Sequence, residues 1–218
     1  MGIKNMTKMR LWQLILAIFI SIEFPFALLS AEEIESKKYV VSINPKLSQF
    51  VMILLPDDDV CMKIQIFQHK KLKQEIKCFE YATGSGLVFE DINFDGYKDM
   101  MILSFSSANY GYTYWLFDQT VGVFVEKEED TLWNPSFDKK NKTLITLWTG
   151  PNHSSTNYFQ FIQGKKILMK NIYVEYTVKN GKEGYRKIIK ERQNGKMVIT
   201  SDKMFQDPNE ALSHYPKN

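Results

Sequence analysis

From Lys38 onward the chain breaks into short runs rich in β-branched and aromatic residues, each closed by a turn residue. Nowhere does it carry a sustained apolar stripe at the 3.6-residue helical spacing. Val60–Gln68 alternates at Met62, Ile64 and Ile66, the pattern of a strand with one side on a core. Asn194-Gly195, between Tyr185–Gln193 and Lys196–Ser201, is the strongest short hairpin signal a sequence offers. Lys38–Asn44, Gln49–Leu55, Leu72–Tyr81, Gly86–Glu90, Met100–Phe105, Tyr112–Phe117, Gly122–Glu126, Thr143–Thr149, Thr156–Gln163 and Lys165–Thr177 read the same way. The rhythm predicts an all-β fold, an antiparallel meander, propeller-like or a sandwich. Only the tail, Pro208–His214, suits a helical turn. Within Tyr112–Phe117, alternation sends Tyr112 and Tyr114 to one face and Trp115 and Phe117 to the other.

The first 31 residues read differently. Lys4, Lys8 and Arg10 precede an apolar run from Leu14 to Ile22, which Glu23 and Pro25 interrupt, and Ala31 offers a small residue for cleavage. That is the pattern of a secretory signal peptide, with an uncleaved N-terminal anchor as the alternative. Residues 32–218 are then a single β-rich domain, periplasmic or secreted, with no stable membrane insertion after cleavage. The leader carries three of the 28 basic residues and one of the 25 acidic ones, so the remainder is almost neutral. Nothing in that balance calls for nucleic acid. Export permits a disulfide between Cys61 and Cys78, worth roughly 3 kcal/mol by chain entropy, and two buried thiols are the alternative. Pairing those cysteines directly would set Ile64 opposite Glu75. A register one residue away sets Ile64 opposite Ile76, and a bulge reconciles the two.

Asp91-Ile92-Asn93-Phe94-Asp95-Gly96-Tyr97-Lys98-Asp99 has the spacing of a calcium loop. Calcium takes six to eight oxygens, and side chains at alternate positions of a tight turn can converge on it. Asp91, Asn93 and Asp95 stand at positions 1, 3 and 5, and Gly96 permits the sharp turn. The Tyr97 carbonyl falls at position 7 and Asp99 at position 9, directly or through water. Glu90 is a further candidate oxygen, while Ile92 and Phe94 point to the core. Ile102 occupies the place of the glutamate expected of an EF-hand, and strand-like flanks make this a strand–loop–strand turn. An Asx-rich turn without metal is the plainer reading.

Other chemistry is absent from the sequence. His69, His153 and His214 are far apart and far from the cysteines, which leaves no zinc or thiol–imidazole spacing. No G-x-S-x-G, phosphate-binding glycine loop or H-E-x-x-H occurs. Glu128/Glu129 and Asp57–Asp59 read as solvated turns, and His69–Lys73 as a charged hairpin tip. These observations point away from an enzyme.

The calcium string is similar to the loops of integrin-like extracellular repeats. Followed by Tyr112-Thr113-Tyr114-Trp115-Leu116-Phe117-Asp118 and then Asn134-Pro135-Ser136-Phe137-Asp138, it resembles bacterial periplasmic proteins related to the inhibitors of invertebrate-type lysozyme. Some of that group are immunity proteins against secreted lysozyme-like toxins. The resemblance runs from about Gly84 to Gly150. It implies a β-rich fold that uses calcium structurally and blocks a lysozyme-like peptidoglycan hydrolase with an exposed loop. In such inhibitors a Ser and a Tyr three residues apart reach the catalytic carboxylates. Ser107 and Tyr110 have that spacing here, with Asn109 and Tyr112 as further contact residues. Ala108 departs from the glycine that often follows the Ser, and Ala disfavours a positive φ. A calcium-dependent envelope binding or scaffold module without a muramidase target is the second reading. An enzyme whose site the sequence hides is the third.

Overall fold

A computed structural model of the chain describes residues 36–56, 62–79, 86–126, 131–179 and 181–213. The short β-rich runs form three antiparallel sheets, in which, with one exception, chain neighbours pair with chain neighbours. The first holds β1 (Lys37–Val41), β2 (Phe50–Pro56), β3 (Met62–Gln68) and β4 (Lys71–Phe79). The second holds β5 (Leu87–Glu90), β6 (Asp99–Ser106), β7 (Tyr110–Asp118) and β8 (Val123–Glu126), and β9 (Leu132–Trp133) adds to β7. The third runs through β10 (Ser136–Asp138), β11 (Thr143–Thr149), β12 (His153–Ile162), β13 (Lys165–Lys179), β14 (Lys182–Gln193) and β15 (Lys196–Phe205). A one-turn helix, α1 (Pro208–Ala211), follows, with the Asp207 side chain capping the Asn209 N–H. The fold is all-β, as the rhythm of short runs predicts, and the sheets of the described residues form no closed barrel.

Turn chemistry sets the registers. Asn194 and Gly195 both take positive φ, 49° and 81°, and join β14 to β15 by a two-residue turn. Gln163 and Gly164 do the same between β12 and β13. In the first sheet Ile64 lies opposite Ile76, with a bulge between Met62 and Ile64. The apolar face therefore sets that register. Cys61 and the Cys78 side chain lie outside the described residues, as do the leader 1–31, Asp57–Asp59 and Glu128/Glu129. β9 and β10 have two and three residues, too few to show an alternation, and sequence reading passes over both.

The second sheet is buried on both faces, which its aromatic alternation requires. On one face Trp115 and Phe117 are almost fully buried, and Phe117 meets Phe50 of β2 edge to face at 5.8 Å. On the other, Tyr114 and Leu116 pack with Ile92, Met101, Leu132 and Leu144 of β11. Each large apolar side chain so removed from water stabilises by about 1.5–3 kcal/mol. The Asp99 end of β6 and the second half of β7 are thereby fixed in the core, and the polar turns that concern function sit at the two ends of β6.

Candidate functional site

The loop Asp91–Lys98 joins β5 to β6 and is organised by its own side chains. Asp91 accepts from the Asp95 and Gly96 N–H groups, each at 3.0 Å. The Asn93 side-chain oxygen accepts from Asp95 N at 3.0 Å, and Asp95 Oδ1 accepts from Tyr97 N at 2.9 Å. Asn93 Nδ2 donates to Asp95 Oδ2 at 2.9 Å. Gly96 sits at φ 90°, where a side chain would be strained. Phe94 takes φ 61° and turns its ring against the cluster that buries Ile92 completely, so both apolar residues of the loop face the core. The loop is latched outward as well. Asn44 Nδ2 donates to the Gly96 carbonyl at 2.8 Å, and Lys98 N donates to the Ile43 carbonyl at 2.9 Å. The Tyr97 ring stacks on Phe117 at 5.7 Å.

Asp99 stands apart from the other acids. Its carboxylate is wholly buried and accepts three backbone N–H bonds: Ile92 at 2.8 Å, Asn93 at 3.3 Å and Phe117 at 2.8 Å. It ties the start of the loop to β7, and burial pushes its pKa up to about 7 against the pull of those three bonds. Burial also raises Asp91, with the charge of Asp95 adding to it. Glu90 is occupied elsewhere, in an ion pair with Lys139 at 2.6 Å.

The oxygen donors at positions 1, 3 and 5 suit a hard divalent cation. Asp91, Asn93 and Asp95 are cross-linked to one another, and their oxygens keep lone pairs beyond the single bonds described. The loop's carboxylates form no ion pair among the described residues. No trio of His, Cys, Asp or Glu side chains converges there either, because Asp99 is turned inward to the backbone. Any cation at this loop would lean on Asn93 and main-chain carbonyls, that of Tyr97 included, for the rest of its shell.

At the far end of β6, Ser107–Asn109 makes a tight turn into β7. Ser107 N donates to the Asn109 carbonyl at 3.1 Å, and Ser107 itself is exposed. Ala108 keeps a negative φ, so the turn forms without the glycine of the resembling inhibitors. The structure corrects the role of Asn109. It is 6% exposed, and its side chain pairs with Thr149 like a strand neighbour, donating to the carbonyl and accepting from the N–H, both at 2.8 Å. Asn109 thus holds the turn against the third sheet and is withdrawn from the surface a partner meets.

Asn134, which sequence reading does not single out as a site residue, completes the clasp. Its side chain donates to Asn109 Oδ1 at 3.0 Å and to the Leu147 carbonyl at 2.9 Å, and accepts from Tyr110 N at 3.0 Å. The Asn-Pro pair at 134–135 was the only signal for it; Asn134 takes φ 40°, which Asn tolerates better than most residues. Gly111 lets Trp133 approach so closely that a Cβ would sit 2.8 Å from its ring. Tyr110 is left 51% exposed on this clasped support, while Tyr112 is half-buried against the core cluster. Beside them opens a groove of about 560 Å³, lined by Tyr110, Tyr112, Asn134, Ser136 and Leu147 among others. It brings together the Tyr112 strand and the Asn134–Ser136 segment, which lie apart in the sequence.

The fold and this groove define an all-β, three-sheet protein with a rigidly presented aromatic rim. No family model matches the chain, and no curated protein matches it. Among solved structures it is similar to a Xanthomonas type IV secretion system related protein. That likeness has 15% identity and a TM-score of 0.49, over 77% of this chain and 99% of that one. It is also similar to a protein with unknown function from Bacteroides fragilis NCTC 9343, at 9% identity and a TM-score of 0.27, over 79% and 94% of the two chains. No helix among the described residues is long and apolar enough to cross a membrane.

Proposed function

We infer that this chain is a calcium-braced periplasmic binding protein that blocks the cleft of a lysozyme-like peptidoglycan hydrolase. It acts by occlusion, with the Ser107–Tyr110 turn as the inserted element and no catalysis of its own. The observation that carries this reading is the exposed Tyr110 side chain on a turn clasped by Asn109 and Asn134. A rigid turn loses little conformational entropy on binding. Tyr adds a large, low-entropy anchor with a polar tip, the type of residue that dominates interfaces. The resemblance of the region from about Gly84 to Gly150 to periplasmic lysozyme inhibitors suggests the target class.

In this reading Asp91, Asn93, Asp95 and the Tyr97 carbonyl would hold the calcium ion. The ion would neutralise the loop's charge and stiffen it. Asp99 passes that stiffness on through its bond to Phe117 of β7, the strand that begins at Tyr110. The test is muramidase turnover with and without the purified protein, across chicken, goose, invertebrate and phage lysozyme classes. Inhibition of at least one class is expected, and its absence across the whole set would remove the reading.

A further inference from the structure

A second cavity opens on the third sheet, further along the face that Ile145, Leu147 and Thr149 turn to the groove above. Ser154 lies opposite Val174, and Tyr176 opposite Tyr185, so these four side chains share one face. The chain just after α1 brings Leu212 down on that face, beside Tyr185. Between Leu212 and the β11–β12 hairpin tip lies a cavity of about 250 Å³. That is somewhat below the roughly 300–1,000 Å³ of drug-sized pockets, a size for one ring.

The walls are held firmly. Gly150 N donates to the His153 carbonyl and Tyr176 N to the Asn152 carbonyl, both at 2.8 Å, which fixes the hairpin tip over β13. A Cβ at Gly150 would sit 2.5 Å from the Trp148 ring, so the tip has no slack. The His153 ring is held between Trp148 at 4.8 Å and Tyr173 at 5.7 Å. The Tyr176 hydroxyl donates to Glu183 at 2.6 Å, and its ring meets Tyr185 edge to face at 5.6 Å while staying 42% exposed.

Several hydroxyls of this cavity are unspent. Ser154 is only 5% exposed and lines the cavity, yet its hydroxyl makes no hydrogen bond among the described residues. The Tyr185 and Thr149 hydroxyls, on residues that also line the cavity, make no hydrogen bond among the described residues either. The Ser154 hydroxyl is not closed off from the cavity, so a ligand or water there can bond to it. No Lys or Arg lines the cavity, and the nearby Glu183 carboxylate is already engaged by Tyr176. The walls therefore offer hydroxyl groups beside apolar Val174 and Leu212 and an exposed tyrosine ring. An uncharged ring with one apolar face and several hydroxyls matches that set.

We propose that this cavity is a binding site for an uncharged pyranose ring, stacked on Tyr176 and hydrogen-bonded to Ser154. It is independent of the inhibitor reading, since Tyr110 contributes nothing to it. Thr149 lines both the cavity and the Tyr110 groove, so an oligosaccharide held here would lie beside the occluding turn.

The test is calorimetric titration of the whole soluble protein with tri-N-acetylchitotriose and, separately, with maltotriose. Saturable binding of at least one trisaccharide is expected, and preference between them reports whether an acetamido group is read. Tyr176→Ala should weaken that binding by about tenfold or more, as loss of a stacking face does. Ser154→Ala should weaken it less, and Tyr110→Ala should leave it unchanged. The unfolding midpoint of each variant shows whether it folds. No binding of either sugar, or equal binding by a folded Tyr176→Ala variant, would overturn the proposal.

Discussion

Two polar turns bound β6, and they are built in opposite ways. The Asp91–Lys98 turn is closed by its own carboxylates and amide, each bonding backbone within five residues. The Ser107–Tyr110 turn has one such internal link and is otherwise held by Asn109, which bonds Asn134, 25 residues on, and Thr149 of the third sheet, 40 residues on. The first turn gathers negative charge and leaves it unpaired among the described residues. The second spends its polar groups and leaves an aromatic ring outside. A turn of the first kind suits a cation, whereas one of the second kind suits a protein partner.

The largest effect should come from the residue that joins the first turn to β7. Asp99→Ala strands two buried N–H groups and one part-buried one, and about 3–5 kcal/mol of stability should be lost in urea unfolding. If the loss were under 1 kcal/mol, Asp99 would not be the link. Next comes the second turn's own tie. Asn109→Ala removes three hydrogen bonds and should destabilise by about 2–3 kcal/mol, with faster amide exchange at Tyr110 and Thr149. Unchanged exchange there would mean that the turn keeps its shape without the clasp.

The metal prediction is smaller. With calcium at about ten times a dissociation constant of roughly 10⁻⁴–10⁻³ M, the native state should gain about 1.4 kcal/mol. For a domain of this size that is a rise of about 3–5 °C in the unfolding midpoint. Asp95→Ala should abolish the rise. A wild-type midpoint indifferent to calcium, with no tightly retained ion, would leave the first turn a metal-free Asx turn. The smallest stability effect belongs to the exposed ring. Tyr110→Ala should shift stability by less than about 0.5 kcal/mol, because it removes surface and no internal bond. A larger loss in thermal unfolding would show that Tyr110 is structural.

The same contrast explains what could be read from the sequence. The first turn was legible because the side chains that close it on itself lie within nine positions, at spacings set by the turn, although its outer latch to Asn44 and Ile43 was not. The inward direction of Ile92 and Phe94 followed from the alternation. Asp99 was the exception. Its spacing reads as a ligand, but its burial, decided by Phe117 on a strand eighteen residues on, makes it a backbone bracket. Asn109 looked like a contact residue because polar residues in short connections usually face water. Its partner at Thr149 belongs to another sheet, and no local pattern announces such a pairing. β9 and β10 were hidden by their brevity. They carry the chain from β7 of the second sheet to β11 of the third, which is what brings Asn134 beside Asn109.

The claim that the first turn braces and the second contacts is tested most directly by muramidase inhibition titrations run in parallel. Wild type, Tyr110→Ala and Asp95→Ala would be compared, each with calcium and after chelation. The account predicts that wild type inhibits with calcium and more weakly without it. Asp95→Ala should match chelated wild type under both conditions, and Tyr110→Ala should fail to inhibit at any calcium level. Inhibition by Tyr110→Ala equal to that of wild type would contradict the account.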